Sequence, residues 1–171
     1  MIVSPSFCAM MARYNMWQNA SLVTAADQLN EGARVADRGA FFGSIMGTFS
    51  HLLWADTIWM SRFDGWDAPV GGIPGSAALH PDWTAFKSTR TRADRRILGW
   101  ADRLDTDDLE GELSWHSGAL GRDVSRPYAM CIAHFFNHQT HHRGQIHAML
   151  TAAGAGPGDT DLFVMPEDIG F

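Results

Sequence analysis

The chain has 171 residues, 46% hydrophobic and 19% charged, which is a globular balance at the length of one domain with a real core. Its formal net charge is −6, and its longest basic stretch, RADRRIL, itself carries Asp94. That argues against a nucleic-acid partner, which needs a positive field, and no apolar run approaches the roughly 18 residues of a membrane span.

Helical periodicity predicts a first helix over about Ser6–Asn30, where Tyr14, Trp17, Leu22 and Leu29 recur at helical spacing and Gly32 in LNEG supplies the stop. The start MIVSPSFCAMMARYNMW lacks a basic region followed by an apolar one, so no signal peptide is read there. Cys8 and Cys131, the only cysteines, cannot make a disulfide framework and are expected as buried core residues. A reducing cytoplasm is the expected compartment.

The second helix is predicted over about Ser44–Phe63. Ile45, Phe49, Leu52, Trp59 and Phe63 form one stripe, and Leu53, Trp54 and Ile58 widen it, so this is the helix expected to be most buried. A long connection follows, with five Gly or Pro residues between Pro69 and Gly75 that point to irregular structure. It lets the third helix run parallel to the second. That third helix, about Pro81–Leu104, has Asp82 as its cap, and Arg90, Arg92, Arg95 and Arg96 are read as its solvated face. LEGELSWHSGALGRDVSRP reads as a small hairpin or irregular loop. The fourth helix runs from about Pro127 to Ala153, ahead of GAGPG, and an extended arm closes the chain. The expected fold is an all-α four-helix bundle over residues 1–171, with a long connection between helices 2 and 3 and a small hairpin or irregular loop before helix 4.

The fourth helix contains HFFNHQTHHRGQIH, five of the eight histidines in the chain. His138 and His142 are four apart, one turn above the other on the shoulder of the sector made by Ile132, Phe135, Ile146 and Leu150. Two imidazoles at this spacing can grip one ion, as in the HExxH zinc helix, but Gln139, Thr140 and His141 stand between them and the Glu base is missing. The pair equally suits a polar helix shoulder. A catalytic site needs a third ligand and an open position. His51 opens HLLWADTIW on the most apolar helix, where a polar group is costly, and Ser44, Gly47, Thr48 and Ala55 leave space beside it. Read alone, His51 is more simply a core histidine bonded to a carbonyl; beside the pair that reading weakens and His51 becomes a candidate third ligand. His134 continues the column toward solvent, His141 and His147 fall outside the sector, and His80 and His116 are expected to face solvent. Asn137, Gln139, His134 and His141 are candidates to hold the ligands' second nitrogens. Arg143 and Gly144 in RGQ are read as structural, an ion-pairing residue and a close helix contact, with Gln145 beside them. Tyr14 and Trp54 are candidates for the pocket wall.

GSIMGTFSHLLWADTIWMSRFDG together with HFFNHQTHHRGQIHAML closely resembles the DinB-like family of proposed metalloenzymes, and RYNMWQN and PEDIGF extend the resemblance over most of the chain. It implies a four-helix bundle, usually a homodimer, with a divalent metal held by His51, His138 and His142. Zinc or nickel is the expected ion, and three imidazoles also suit iron or copper. Relatives of this fold include transferases and isomerases that use a low-molecular-weight thiol. The expected function is therefore a metal-dependent hydrolase or thiol transferase acting on a small-molecule substrate. The alternative is a non-catalytic metal protein with a structural or sensing role.

Overall fold

The computed structural model describes residues 2–169; Gly170 and Phe171 of PEDIGF lie outside it. Helix α1 (Pro5–Asp27) starts where Ser4 Oγ accepts from Phe7 N at 3.1 Å and Pro5 fills the first turn. The chain does not stay in one helix to Asn30. Asn30 Oδ1 accepts from Ala33 N at 2.8 Å and starts a new helix, α2 (Glu31–Val35), so Gly32 lies inside a helix rather than ending one. An asparagine three residues ahead of a free amide is a start signal as strong as glycine is a stop.

Helix α3 (Ile45–Phe63) is capped by Ser44 Oγ on Gly47 N at 2.9 Å, and every residue from Ile45 to Asp56 is buried. In the connection expected to be irregular, one helical turn forms, α4 (Ile73–Ser76). Pro74 presets its first turn and Ser76 Oγ donates to Ile73 O at 2.7 Å. Helix α5 (Trp83–Ala101) has Asp82 at its cap, accepting from Ala85 N at 2.6 Å. In the stretch read as a small hairpin or irregular loop, β1 (Glu112–Ser117) and β2 (Arg122–Pro127) pair antiparallel with Trp115 opposite Val124, and Gly121 takes φ +62° between them. Helix α6 (Tyr128–Ala152) follows directly from Pro127. The tail lies against α1, where Gln18 Nε2 donates to Asp159 O at 2.9 Å and Tyr14 Oη to Thr160 O at 2.6 Å.

The protein is mostly helical with this one small sheet. Of the long helices, α1 packs on α5 and α6, and α3 packs on the same two. Phe49, Phe86, Phe135, Phe136, Ile97 and Ile146 fill the space between them. Among the described residues no helix is long and apolar enough to cross a membrane.

The same interior holds charge. Arg90, expected in solvent with its neighbours, is only 2% exposed. Its Nη1 donates to Asp56 Oδ2 on α3 at 2.6 Å, and its Nη2 stands 2.8 Å from Asp94 Oδ1 one turn on. Asp94 also accepts from Asn15 at 3.2 Å and Asn19 at 2.8 Å, both on α1. From α6, Gln139 Nε2 donates to Asp56 Oδ1 at 3.0 Å, and Arg143 donates to Asn15 Oδ1 and, at 3.1 Å, to Thr140 Oγ1. All four long helices therefore share one buried polar network. Burial pushes the Asp94 carboxyl up to about 6 against the pull of Arg90 and Asn19, and pushes Arg143 down to about 10. Removing one partner from such a buried set strands the others, which costs far more than losing a surface contact. Arg90→Ala is expected to destabilise by about 3–5 kcal/mol in urea unfolding, whereas Arg92→Ala, two residues along on the exposed face, stays within about 0.5 kcal/mol.

Candidate metal centre

His51 projects from the buried centre of α3, and His138 and His142 from successive turns of α6. One ring nitrogen of each lies within 4.8 Å of the others. The His138 and His142 Nε2 atoms are 3.1 Å apart. The His51 ring centroid is 4.8 Å from that of His142 and 5.5 Å from that of His138. Three nitrogens around one ion at about 2.0–2.1 Å need separations of about 3.3 Å. The α6 pair is already close to this, and His51 has a ring nitrogen within 4.8 Å of both.

Hydrogen bonding fixes which nitrogens face inward. Ser76 Oγ spends its proton on Ile73 O, so the 2.8 Å contact between His51 Nδ1 and Ser76 Oγ requires the imidazole to donate. The proton sits on Nδ1, and the His51 Nε2 lone pair is left bare. His142 Nδ1 donates in the same way to Gln145 Oε1 at 2.8 Å, while Gln145 Nε2 is 3.2 Å from His141 Nε2. This is the arrangement in which an outer hydrogen bond sets the tautomer of a metal-ligating imidazole. Burial lowers the pKa of His51 to about 4 and of His138 to about 3, and the neighbouring imidazoles add to both shifts. His142 is also lowered by burial, with the Gln145 bond pulling the other way. The cluster is therefore neutral near pH 7, the form that binds a cation.

A tight turn roofs the cluster. Ala40 and Gly43 bridge, Gly43 N donates to Ala40 O at 2.8 Å, and Gly43 takes φ +73°. Phe42 at this turn stacks on His51 with ring centroids 3.7 Å apart and tilts toward His142 at 5.5 Å. Gly47 allows it to sit there: a Cβ at 47 would stand 2.3 Å from Phe42 O. The small residue beside His51 thus makes room for the chain's own carbonyl. Trp54 lies on the other flank, its ring 5.9 Å from that of His51, with its buried indole N–H unpaired among the described residues.

The three grouped histidines come together, and the other candidates separate. None of the residues expected to hold second nitrogens does so. Asn137 and His134 are exposed, Gln139 faces Asp56, and His141 packs edge-on against the His142 ring at 4.9 Å but bonds Gln145 rather than a ligand nitrogen. Gly144 makes no close helix contact, since a Cβ there would meet nothing within 4 Å. Arg143 bonds amide and hydroxyl oxygens rather than a carboxylate. Tyr14 lies away from the cluster, at a cleft of about 410 Å³ between α1 and α6 that Arg143 and His147 also line. His116 is exposed on β1, but His80 is half-buried against Phe86. Cys8 and Cys131 are buried and free. Ser76, Phe42 and Gln145 were the residues missed. Two lie in connections without periodicity, and only Gln145, one turn from His142, had a spacing that could have revealed it.

A mostly helical protein with three inward-facing imidazoles, able to hold a metal ion, is the class these features define. The chain belongs to the DinB family, whose model matches residues 1–168. No curated protein matches it.

The lowered histidines also make metal-free stability depend on pH. An unfolded imidazole titrates at its ordinary 6.5, whereas His51 and His138 hold out to about 4 and about 3. As pH falls, the unfolded chain takes up protons first, and stability is lost from about 6.5 downward. Asp94, raised by burial, acts in the opposite sense, but as one group against five lowered histidines, His51, His80, His134, His138 and His142. Urea midpoints of the metal-free protein should therefore drop between pH 7 and pH 4.5, and a His51→Gln, His138→Gln double variant should show a clearly flatter profile.

Proposed function

We propose that the chain is a divalent-metal-dependent enzyme whose ion is held by His51, His138 and His142, with zinc or nickel the best suited. The observation that carries this reading is the convergence of three imidazole nitrogens, two of the rings having their outer nitrogen tied to Ser76 or Gln145. The cluster contains no fourth His, Cys, Asp or Glu among the described residues, which favours an open position over a closed structural site. An ion held by three neutral imidazoles keeps its double positive charge and lowers the pKa of a water or thiol in that open position.

The protein's own groups supply the rest. Ser76 and Gln145 orient two ligand rings and keep their inner nitrogens bare. Phe42 covers one face of His51 and limits water there. This supports hydrolysis or transfer of a low-molecular-weight thiol on a small-molecule substrate. We read α1, α3, α5 and α6 as one four-helix bundle in a homodimer, as the family resemblance suggests. Free, buried Cys8 and Cys131 suit a reducing cytoplasm.

Metal analysis of protein purified without a histidine tag tests the assignment. The expected result is about one divalent ion per chain in the wild type and none in a His138→Ala, His142→Ala double variant. Stoichiometric metal in that variant would place the ion elsewhere.

A further inference from the structure

The turn over the histidine cluster carries its own punctuation. Residues 39–43 read GAFFG, with a glycine at each end. Gly39 takes φ +69° and Gly43 φ +73°, a region that glycine enters without strain, so both ends turn at residues able to change their backbone angles. Gly43 N donates to Ala40 O, and Arg38 N donates to Gly43 O at 2.7 Å. Among the described residues, every hydrogen bond made by residues 37–43 ends within residues 33–44, and none reaches α1, α5 or α6. The segment meets the body of the protein through the partly buried Ala40 and through Phe42, while Phe41 is 82% exposed.

Its closed position is incompletely paired. Arg38 Nε at the foot of the segment and Trp54 Nε1 beside His51 are buried with no acceptor among the described residues. Dry donors raise the free energy of the packing around them, so this corner of the fold is held less firmly than a satisfied loop. What holds it is the Phe42 ring, stacked on His51 at 3.7 Å and 5.5 Å from His142. Both histidines are buried. A segment with glycine at both ends, bonded to itself and gripping a site by one aromatic ring, has the construction of a flap.

We propose that residues 39–43 are a hinged flap that closes the His51/His138/His142 cluster with Phe42 and lifts to admit a ligand. What the flap admits, a substrate to the ion, rests on the metal-centre reading above; the closure itself does not. Gly47 sets the closed position. A Cβ there would stand 2.3 Å from Phe42 O, a backbone atom, so the flap seats as it does only while position 47 lacks a side chain. Gly47→Ala should therefore prop the flap open without altering Phe42 or any of the three histidines. Phe42→Ala removes the ring that closes it.

Diethyl pyrocarbonate, which acylates neutral imidazole nitrogen, reads the closure in metal-free protein, with sites and rates followed by peptide mass spectrometry. The bare His51 Nε2 is the target. Its rate is divided by that of His147, half-buried on α6 at the Tyr14 cleft, so that any general loosening of a variant cancels. Reaction follows the open fraction, so this ratio is expected to rise at least about tenfold in Gly47→Ala and in Phe42→Ala. An unchanged ratio in Phe42→Ala would show that the ring does not close the site. An unchanged ratio in Gly47→Ala alone would make Phe42 a fixed cover. Either result overturns the flap. The metal-centre reading fails separately, in the metal analysis above, because this measurement needs no ion.

Discussion

The Asp56–Arg90–Asp94 cluster, with its amide partners from α1 and α6, is the constraint on which the rest of the structure depends. Apolar packing alone leaves a helix free to rotate or slide by small amounts at little cost, because many arrangements of similar volume are tolerated. A buried guanidinium between two carboxylates has far fewer acceptable arrangements, since each misplaced donor is left dry and unpaired. Here the consequence reaches the site directly. Gln139 and Arg143 are the α6 members of the network, and each immediately follows one of the two α6 histidines. Holding positions 139 and 143 toward α3 and α1 sets the rotation of α6, and that rotation turns positions 138 and 142 toward His51. Asp56 lies on the same helix as His51, little more than one turn away, so one carboxylate ties together the two helices that carry the cluster.

Around that frame the finer aim comes from short connections. The single turn α4 exists in a glycine- and proline-rich stretch and delivers Ser76 to the outer nitrogen of His51. The turn at 40–43 delivers Phe42 to its face, through a gap that only glycine at 47 leaves open. Neutral imidazoles under an aromatic roof make an uncharged nest suited to a cation. Such a site would hold an ion through lone pairs alone, leaving the ion's full charge to act on whatever else bound there.

Much of this was legible in the residues. The long helices fall within a few residues of their expected bounds, because their stripes are strong and Ser44, Asp82 and Pro127 are clear start signals. The three histidines were found because two share a helix face and the third is a costly polar residue on an apolar helix. Arg90 was misread by grouping it with its basic neighbours. Its place in the stripe Phe86, Arg90, Ala93, Ile97 and Trp100 marks it as interior, with Asp94 four residues on as its partner. The same holds for Gln139 and Arg143 between Phe136 and Ile146, and for Asn15 and Asn19 between Ala12 and Leu22. Polar residues at core positions on four helices are a network waiting for its third dimension. Ser76 and Phe42 had no such signal, because a loop's path is set by the body it crosses rather than by its own period.

The central claim is geometric: three inner imidazole nitrogens, aimed by the fold, converge on one ion and leave it an open position. X-ray absorption on zinc-loaded protein, read together with anomalous diffraction at the zinc edge, measures this most directly. The account predicts one ion bound by three nitrogens at about 2.0–2.1 Å, from His51, His138 and His142, plus one lighter non-protein ligand, with the Ser76 and Gln145 bonds retained. An ion with sulfur or carboxylate ligands from the chain, or one bound without His51, would contradict it.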